Sequence, residues 1–269
     1  IKMKIGFIGL GNMASAMIGG ILKKELYSAE DIIGSDKSED SVQKAAKIFG
    51  IHTTTDNLEV AQIADVLILA VKPQFFPEVI AEIKGAVREE TLIISIAPGK
   101  TMEWIMEHFG RELKLVRCMP NTPALVGEGM SGMVGGKYAD KQDLDFIYKL
   151  LSTIGKCIIV DDEAQIDIVT AISGSGPAFY YKVINEIARA GEKLGLDYEK
   201  ALLLSIQTAI GSAKMALNRE ISMEELISNV ATKGGCTRVG VDCMDEYNTE
   251  KLFYDVIKST AEKACALGK

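Results

Sequence analysis

The segment Lys4-Ile-Gly-Phe-Ile-Gly-Leu-Gly-Asn-Met-Ala14 joins an apolar run to small residues at the spacing G-x-G-x-x-G/A, carried by Gly9, Gly11 and Ala14. That spacing suits a pyrophosphate. The first glycine makes a tight turn, the second lets the main chain approach the phosphates, and the small third residue lets a helix pack close to the sheet. The anion then meets free N–H groups at the positive end of that helix. An ordinary strand-to-helix turn satisfies the same triplet, but here it follows Ile5-Gly-Phe-Ile8 and precedes the helical pattern Met13–Leu22, which is the context a nucleotide site requires.

Four further clusters carry usable chemistry. Ala70-Val-Lys-Pro73 ends a strand pattern on the carboxyl edge, where Lys72 either reaches a phosphate or ribose or is a solvated lysine beside a turn proline. Met119-Pro-Asn-Thr-Pro123 is a rigid strand exit with Asn121 and Thr122 as polar tips, and by composition it is a turn. Ser173-Gly-Ser-Gly-Pro177 opens a long helix near Ala178; its hydroxyls and N–H groups suit a carboxylate or simply start the helix. Thr232-Lys-Gly-Gly-Cys-Thr237 sets two glycines and hydroxyls at another helix N-terminus, a second anion cradle. A nucleotide site in one domain and a carboxylate-sized site in the other describe a dehydrogenase.

The elements that must position these clusters change character along the chain. Strand patterns at Lys4–Gly9, Asp31–Ser35, Val66–Val71, Leu92–Ile96, Leu113–Arg117, Gly129–Val134 and Lys156–Val160 alternate with helical patterns, which predicts an α/β domain of Rossmann type with a mostly parallel sheet. After Val160 only helical patterns remain. The expected domains are therefore 1–161, dinucleotide-binding, and 162–269, all-α. Asp197 is an expected N-cap of a helix to Leu217 that is apolar on more than one face, so subunit association is its natural cover. Ser222-Met-Glu-Glu225 reads as a capping box, and Asn248–Ala266 as the last helix.

The 269 residues are 48% hydrophobic and carry a net charge of −7 with no basic block, which argues against nucleic acid. No apolar run is long enough for a membrane span, and without a signal-peptide pattern the expected location is the cytoplasm. The five cysteines contain no C-x-x-C and are expected to be reduced thiols. His52 and His108, the two histidines, stand far apart in polar stretches, so neither a metal site nor a histidine general base is expected.

Taken together, Gly6-Phe-Ile-Gly-Leu-Gly-Asn-Met-Ala14, Ala70-Val-Lys-Pro73, Arg117-Cys-Met-Pro-Asn-Thr-Pro123, Ser173-Gly-Ser-Gly-Pro-Ala-Phe179 and Val230-Ala-Thr-Lys-Gly-Gly-Cys-Thr237 resemble the pyrroline-5-carboxylate reductases over the whole chain. The last stretch is close to V-T-S-P-G-G-T-T in that family. Thr232, Lys233 and Cys236 depart from the pattern, while Gly234, Gly235 and Thr237 keep it, so the loop is expected to function.

The resemblance implies cofactor contacts from Gly9, Leu10, Gly11, Asn12, Met13 and Ala14, from Asn57 near the adenosine ribose, and from Ala70, Val71, Lys72 and Pro73. It implies substrate contacts from Asn229, Val230, Gly234, Gly235, Cys236 and Thr237, beside the cradle of Ser173, Gly174, Ser175 and Gly176. In the family the helical domain dimerises by intertwining, the pocket borrows residues from the second subunit, and dimers often form decameric rings. The implied reaction delivers a hydride to the C=N carbon of a cyclic imine, giving L-proline. A protonated imine is already electrophilic, which suits a histidine-poor chain; Thr237 is the candidate hydrogen-bond partner of the ring nitrogen and Glu220 a balancing charge.

Cofactor choice turns on one loop. Asp36 lies near where an acid accepts the ribose 2′-hydroxyl of NADH, whereas Ser35, Lys37 and Ser38 would suit the 2′-phosphate of NADPH, the family's common cofactor. NADPH is expected, with NADH as the alternative. Two rival readings are a β-hydroxyacid dehydrogenase, whose helical lysine and asparagine Lys182 and Asn185 approach at the wrong spacing, and a non-catalytic NADP sensor, which would need no second cradle.

Overall fold

The computed structural model describes residues 3–267. Eight strands, β1 (Ile5–Ile8), β2 (Ile32–Ser35), β3 (His52–Thr54), β4 (Val66–Leu69), β5 (Leu92–Ser95), β6 (Lys114–Met119), β7 (Gly129–Gly135) and β8 (Gly155–Ile159), form one sheet in the order β3-β2-β1-β4-β5-β6-β7-β8. All neighbours run parallel except β6 and β7. The strand order reverses direction between β1 and β4, the topological switch point outside which ligands of open α/β sheets bind.

Six helices cross over this sheet: α1 (Asn12–Lys23), α2 (Glu39–Phe49), α3 (Asn57–Ile63), α4 (Phe76–Ile83), α5 (Met102–Phe109) and α6 (Lys141–Leu151). The central strands are buried on both faces, so their apolar runs are continuous. Alternate residues enter opposite cores: Phe7, Ile68 and Ile94 join Met17, Ile21 and Ile147 on one side, and Ile8, Leu67 and Ile93 join Val60, Ile80 and Ile105 on the other. Full burial of each such side chain contributes about 1.5–3 kcal/mol. Local signals agree with this packing: Ser38, Asp56, Thr101 and Asp140 cap α2, α3, α5 and α6 through their side chains.

β3 and α3 are not anticipated from the sequence. β3 is a three-residue, partly exposed edge strand with no hydrophobic run to betray it, and α3 spans seven residues under an Asp56 cap.

The remaining helices are α7 (Gln165–Val169), α8 (Gly176–Lys193), α9 (Tyr198–Leu217), α10 (Met223–Val230), α11 (Cys236–Glu246) and α12 (Thr249–Ala266). One compact unit takes in the chain through Ser175 together with the residues from Ser259 on; the other is Gly176–Lys258. Within the second unit α8 and α9 pack closely enough that a Cβ on Gly191 would meet Ala201 at 3.1 Å. Tyr198 Oη donates to Asn185 Oδ1 at 2.9 Å and Ser205 Oγ to the Ile184 carbonyl at 3.1 Å across the same contact. Leu203, Leu204, Ile210, Met215 and Leu217 of α9 are exposed in the single chain.

Among the described residues no helix is long and apolar enough to cross a membrane.

Candidate active site

Gly9 leaves β1 with φ +97°, and a Cβ there would come within 2.8 Å of the Ala70 carbonyl carbon and 2.9 Å of the Val71 nitrogen. Only glycine tolerates both the dihedral and the contact. Gly11, the N-cap of α1, has no side-chain cap and nothing within 4 Å of a built Cβ. The first turn of α1 thus has no capping side chain and no acidic residue, and Gly11 itself lines a cleft. This cradle fits a pyrophosphate.

The cradle is one wall of a cleft of about 300 Å³ lined by Gly9, Gly11, Asp36, Lys37, Ser38, Asn57, Ala70, Val71, Lys72, Phe75 and Val79. The ends of β1, β2 and β4 bring these residues together. Asp36 holds the floor: Oδ2 accepts from the Leu10 N–H and Oδ1 from the Ser38 N–H, both at 2.9 Å. Each oxygen retains acceptor capacity for a ribose hydroxyl. Asn57 is buried, its Oδ1 accepting from Ser35 Oγ at 2.7 Å and its Nδ2 donating to Glu82 Oε2 at 2.8 Å.

The other residues expected at the cofactor are not among those lining the cleft. The Leu10 side chain folds onto Gly34 in the core, where a Cβ would meet Leu10 Cδ2 at 2.5 Å. Ala14 is buried and Met13 half-buried in the packing of α1, and Asn12 is exposed. Ser35 is fully buried, its hydroxyl committed to Asn57. Pro73 begins a short 3₁₀ turn (Pro73–Phe75) that carries Phe75 to the cleft. Phe75 and Val79 are the lining residues not anticipated from the sequence; for Phe75 the available signal was an aromatic residue just beyond the strand-end proline.

The Ser173–Gly176 segment begins inside a π-helical turn, Thr170–Gly174, an uncommon geometry that gathers at functional sites. Asn121 ties it to the sheet: Nδ2 donates to the Ser173 carbonyl at 3.0 Å and Oδ1 accepts from the Met130 N–H at 2.8 Å. Ser173 Oγ donates to the Met130 carbonyl at 3.3 Å, closing a ring. Gly174 lies against Met119, whose Cε a Cβ would meet at 2.7 Å. Nearby, Arg117, 1% exposed on β6, pairs with Glu163 at 3.0 Å and Asp167 at 3.2 Å and so anchors α7. Asn121 is therefore more than a turn residue.

In the second unit Asn229 and Val230, both exposed, end α10 and lead into the glycine loop. The Gly235 N–H donates to the Thr232 carbonyl at 3.0 Å, and Gly234, with φ +79°, occupies the third position of that turn. Positive φ there is the mark of a type II turn, which favours proline at the second position without requiring it; Lys233 stands at that position and the turn is kept. Gly235 is the N-cap of α11, Cys236 its exposed first residue and Thr237 its half-buried second. Glu220, exposed, precedes α10 while Thr237 follows it, so about 12 Å of helix separates the two along the chain. Lys182 pairs with Glu186 at 3.5 Å, and Asn185 packs α8 against α9 through Tyr198.

Neither histidine lines the cleft: His52 pairs with Glu59 at 2.8 Å and His108 stacks on Trp104 at 3.6 Å. Among the described residues no group of three or more His, Cys, Asp or Glu is arranged to hold a metal ion. Burial pushes the Cys157 thiol up to about 12 and raises that of Cys118 well above its ordinary value, the nearby Cys157 adding to the latter.

Residues 163–267 match the family model described as pyrroline-5-carboxylate reductase dimerisation, and residues 4–99 match that described as NADP oxidoreductase coenzyme F420-dependent. The chain is 38% identical to a pyrroline-5-carboxylate reductase of Pseudomonas aeruginosa, over 99% of this chain and 97% of that one. Among solved structures it is similar to a pyrroline-5-carboxylate reductase from Coxiella burnetii, with a TM-score of 0.95, 35% identity and full coverage of both chains. It is also similar to the Plasmodium falciparum enzyme solved with NADP bound, with a TM-score of 0.87, 31% identity, and coverage of 100% of this chain and 99% of that one. With this identity along its whole length, the chain belongs to the pyrroline-5-carboxylate reductase family.

Proposed function

We propose that the protein reduces the C=N bond of 1-pyrroline-5-carboxylate to give L-proline, the last step of proline biosynthesis, with NADPH as the cofactor. The observation that carries this reading is the uncapped N-terminus of α1 beside Gly9 and Gly11 at the switch point of the sheet, in a chain of this family. NADPH is favoured over NADH by the relative solved with NADP bound.

When bound, the dinucleotide supplies the hydride. Gly9, Gly11 and the first turn of α1 hold its pyrophosphate, and Asp36, Lys37 and Asn57 meet the adenosine end. Ala70, Val71, Lys72 and Pro73 form the rim at the end of β4. In the helical region Thr237 holds the imine nitrogen by its hydroxyl. The main chain of Gly234 and Gly235, or that of the Ser173–Gly176 segment, receives the carboxylate, and Asn229, Val230 and Cys236 contact the substrate beside the glycine loop. Positioning of this kind contributes several kcal/mol to the barrier reduction without a strong acid. Glu220 balances the charge of the protonated ring.

Residues 1–161 bind the dinucleotide in this scheme, and 162–269 bind substrate and a second copy of the chain. The exposed apolar residues of α9 support that association. Assembly of the dimers into decameric rings belongs to the same reading, as does a cytoplasmic location. The test is turnover: purified protein given the imine and NADPH should consume both and release L-proline, identified by mass spectrometry. Background rates with a folded oligomer would end the proposal, and sedimentation velocity separates dimer from ring.

A further inference from the structure

Lys37 Nζ lies 2.8 Å from Glu78 Oε1 and 5.6 Å from the centre of the Phe75 ring. This contact joins the loop after β2 to α4, 41 positions away in the chain. Lys37 and Phe75 line the cleft, whereas Glu78 does not. Resting on the reading that a nicotinamide dinucleotide occupies the cleft, we propose that Glu78 sets the preference between NADPH and NADH by competing with the 2′-phosphate for the Lys37 ammonium.

Asp36 lines the cleft beside Lys37. Its carboxylate is fixed by the Leu10 and Ser38 N–H groups, at the position where an acid following β2 meets the ribose 2′-hydroxyl. A hydroxyl donates to that carboxylate, but a phosphate is repelled by it unless a cation stands between. Lys37 is the cation supplied by the same loop; Lys72, the other lysine lining the cleft, comes from the end of β4 on the side of the glycine turn.

Glu78 determines how available Lys37 is. With both side chains more than half exposed, at 60% and 66%, the pair is weak and readily exchanged. A dianionic phosphate draws Lys37 away from Glu78, whereas a 2′-hydroxyl leaves the pair intact. Glu78 therefore penalises NADPH and is nearly indifferent to NADH. The face of the Phe75 ring, itself part of the cleft lining, attracts the Lys37 ammonium alongside Glu78.

The test uses the full chain as Glu78→Gln, Lys37→Ala and the double variant, with kcat/KM measured for both cofactors. Calorimetry with adenosine 2′,5′-bisphosphate and with AMP reads the same discrimination without turnover. Glu78→Gln should raise the NADPH-to-NADH ratio, and the matching ratio of affinities, about two- to fivefold. Lys37→Ala should lower both ratios, and adding Glu78→Gln to it should change nothing further. Ratios unmoved by Glu78→Gln, or a gain that persists without Lys37, would overturn the proposal. Absence of imine reduction with either cofactor in the unaltered protein would count against the reductase reading instead, and the calorimetric ratios would still decide the role of Glu78.

Discussion

The side-chain amide of Asn121 donates to the main-chain carbonyl of Ser173, 52 residues further along the chain, at 3.0 Å, while its oxygen accepts from the Met130 N–H. With Ser173 Oγ bonded to the Met130 carbonyl, three residues on two strand ends and one π-helical turn close a single ring of hydrogen bonds. Asn121 is 8% exposed, so water replaces little of what its removal would break.

Asn121→Asp keeps the acceptor for Met130 but sets an anion against the Ser173 carbonyl. We expect it to cost about 1–3 kcal/mol of stability in denaturant unfolding. It should also raise KM for the imine more than KM for NADPH, because the Ser173 turn moves while the cleft between β1 and β4 does not. Equal effects on both constants would mean that Asn121 supports the fold alone.

Gly9 and Gly11 separate two roles that the motif merges. At Gly9 a Cβ collides with main-chain atoms of Ala70 and Val71 at positive φ, so Gly9→Ala should lower both stability and cofactor affinity. At Gly11 φ is −71° and the added Cβ meets nothing. Gly11→Ala should then fold within about 1 kcal/mol of the parent yet bind NADPH more weakly, since the methyl occupies the cradle. Thermal melts paired with cofactor titration check both. Unaltered affinity in Gly11→Ala would place the pyrophosphate elsewhere.

The glycine turn was legible because its demands are local: a dihedral and a close approach leave a residue type behind. The same holds for the cap at Asp197, whose side chain accepts the main-chain N–H of Lys200 at the start of α9. β3 escaped notice because three partly exposed residues carry no periodicity. The roles of Glu78 and Asn121 were hidden for another reason. Each meets a partner far along the chain, Lys37 at 41 positions and Ser173 at 52, and no local pattern records a contact of that kind. Ser35 and Leu10 show the converse, since a motif position says which main chain approaches a ligand but not which side chains turn inward.

Thr237 tests the substrate side of the proposal. Its hydroxyl stands at the second residue of α11, after a turn held by Gly234 and Gly235. Thr237→Ala should reduce kcat/KM for the imine by about ten- to a hundredfold, the range for losing one hydrogen bond to a charged partner. NADPH affinity should hold, and Thr237→Ser should recover most of the loss. Steady-state kinetics equal to the parent would remove Thr237 from the mechanism.

Cys157 makes stability depend on pH in a stated direction. Burial disfavours its thiolate and pushes the folded value up to about 12, from an ordinary value of 9.0. The native state therefore keeps a proton that the unfolded chain releases once the pH passes 9.0. The stabilisation is complete below that point and is lost as the pH climbs towards 12. Denaturant midpoints compared at about pH 8 and about pH 10.5 should fall further in the parent than in Cys157→Ala. At the lower pH iodoacetamide should leave Cys118 and Cys157 untouched in the native protein and label both after unfolding. A midpoint loss identical in parent and variant would show that the Cys157 thiol does not couple folding to pH.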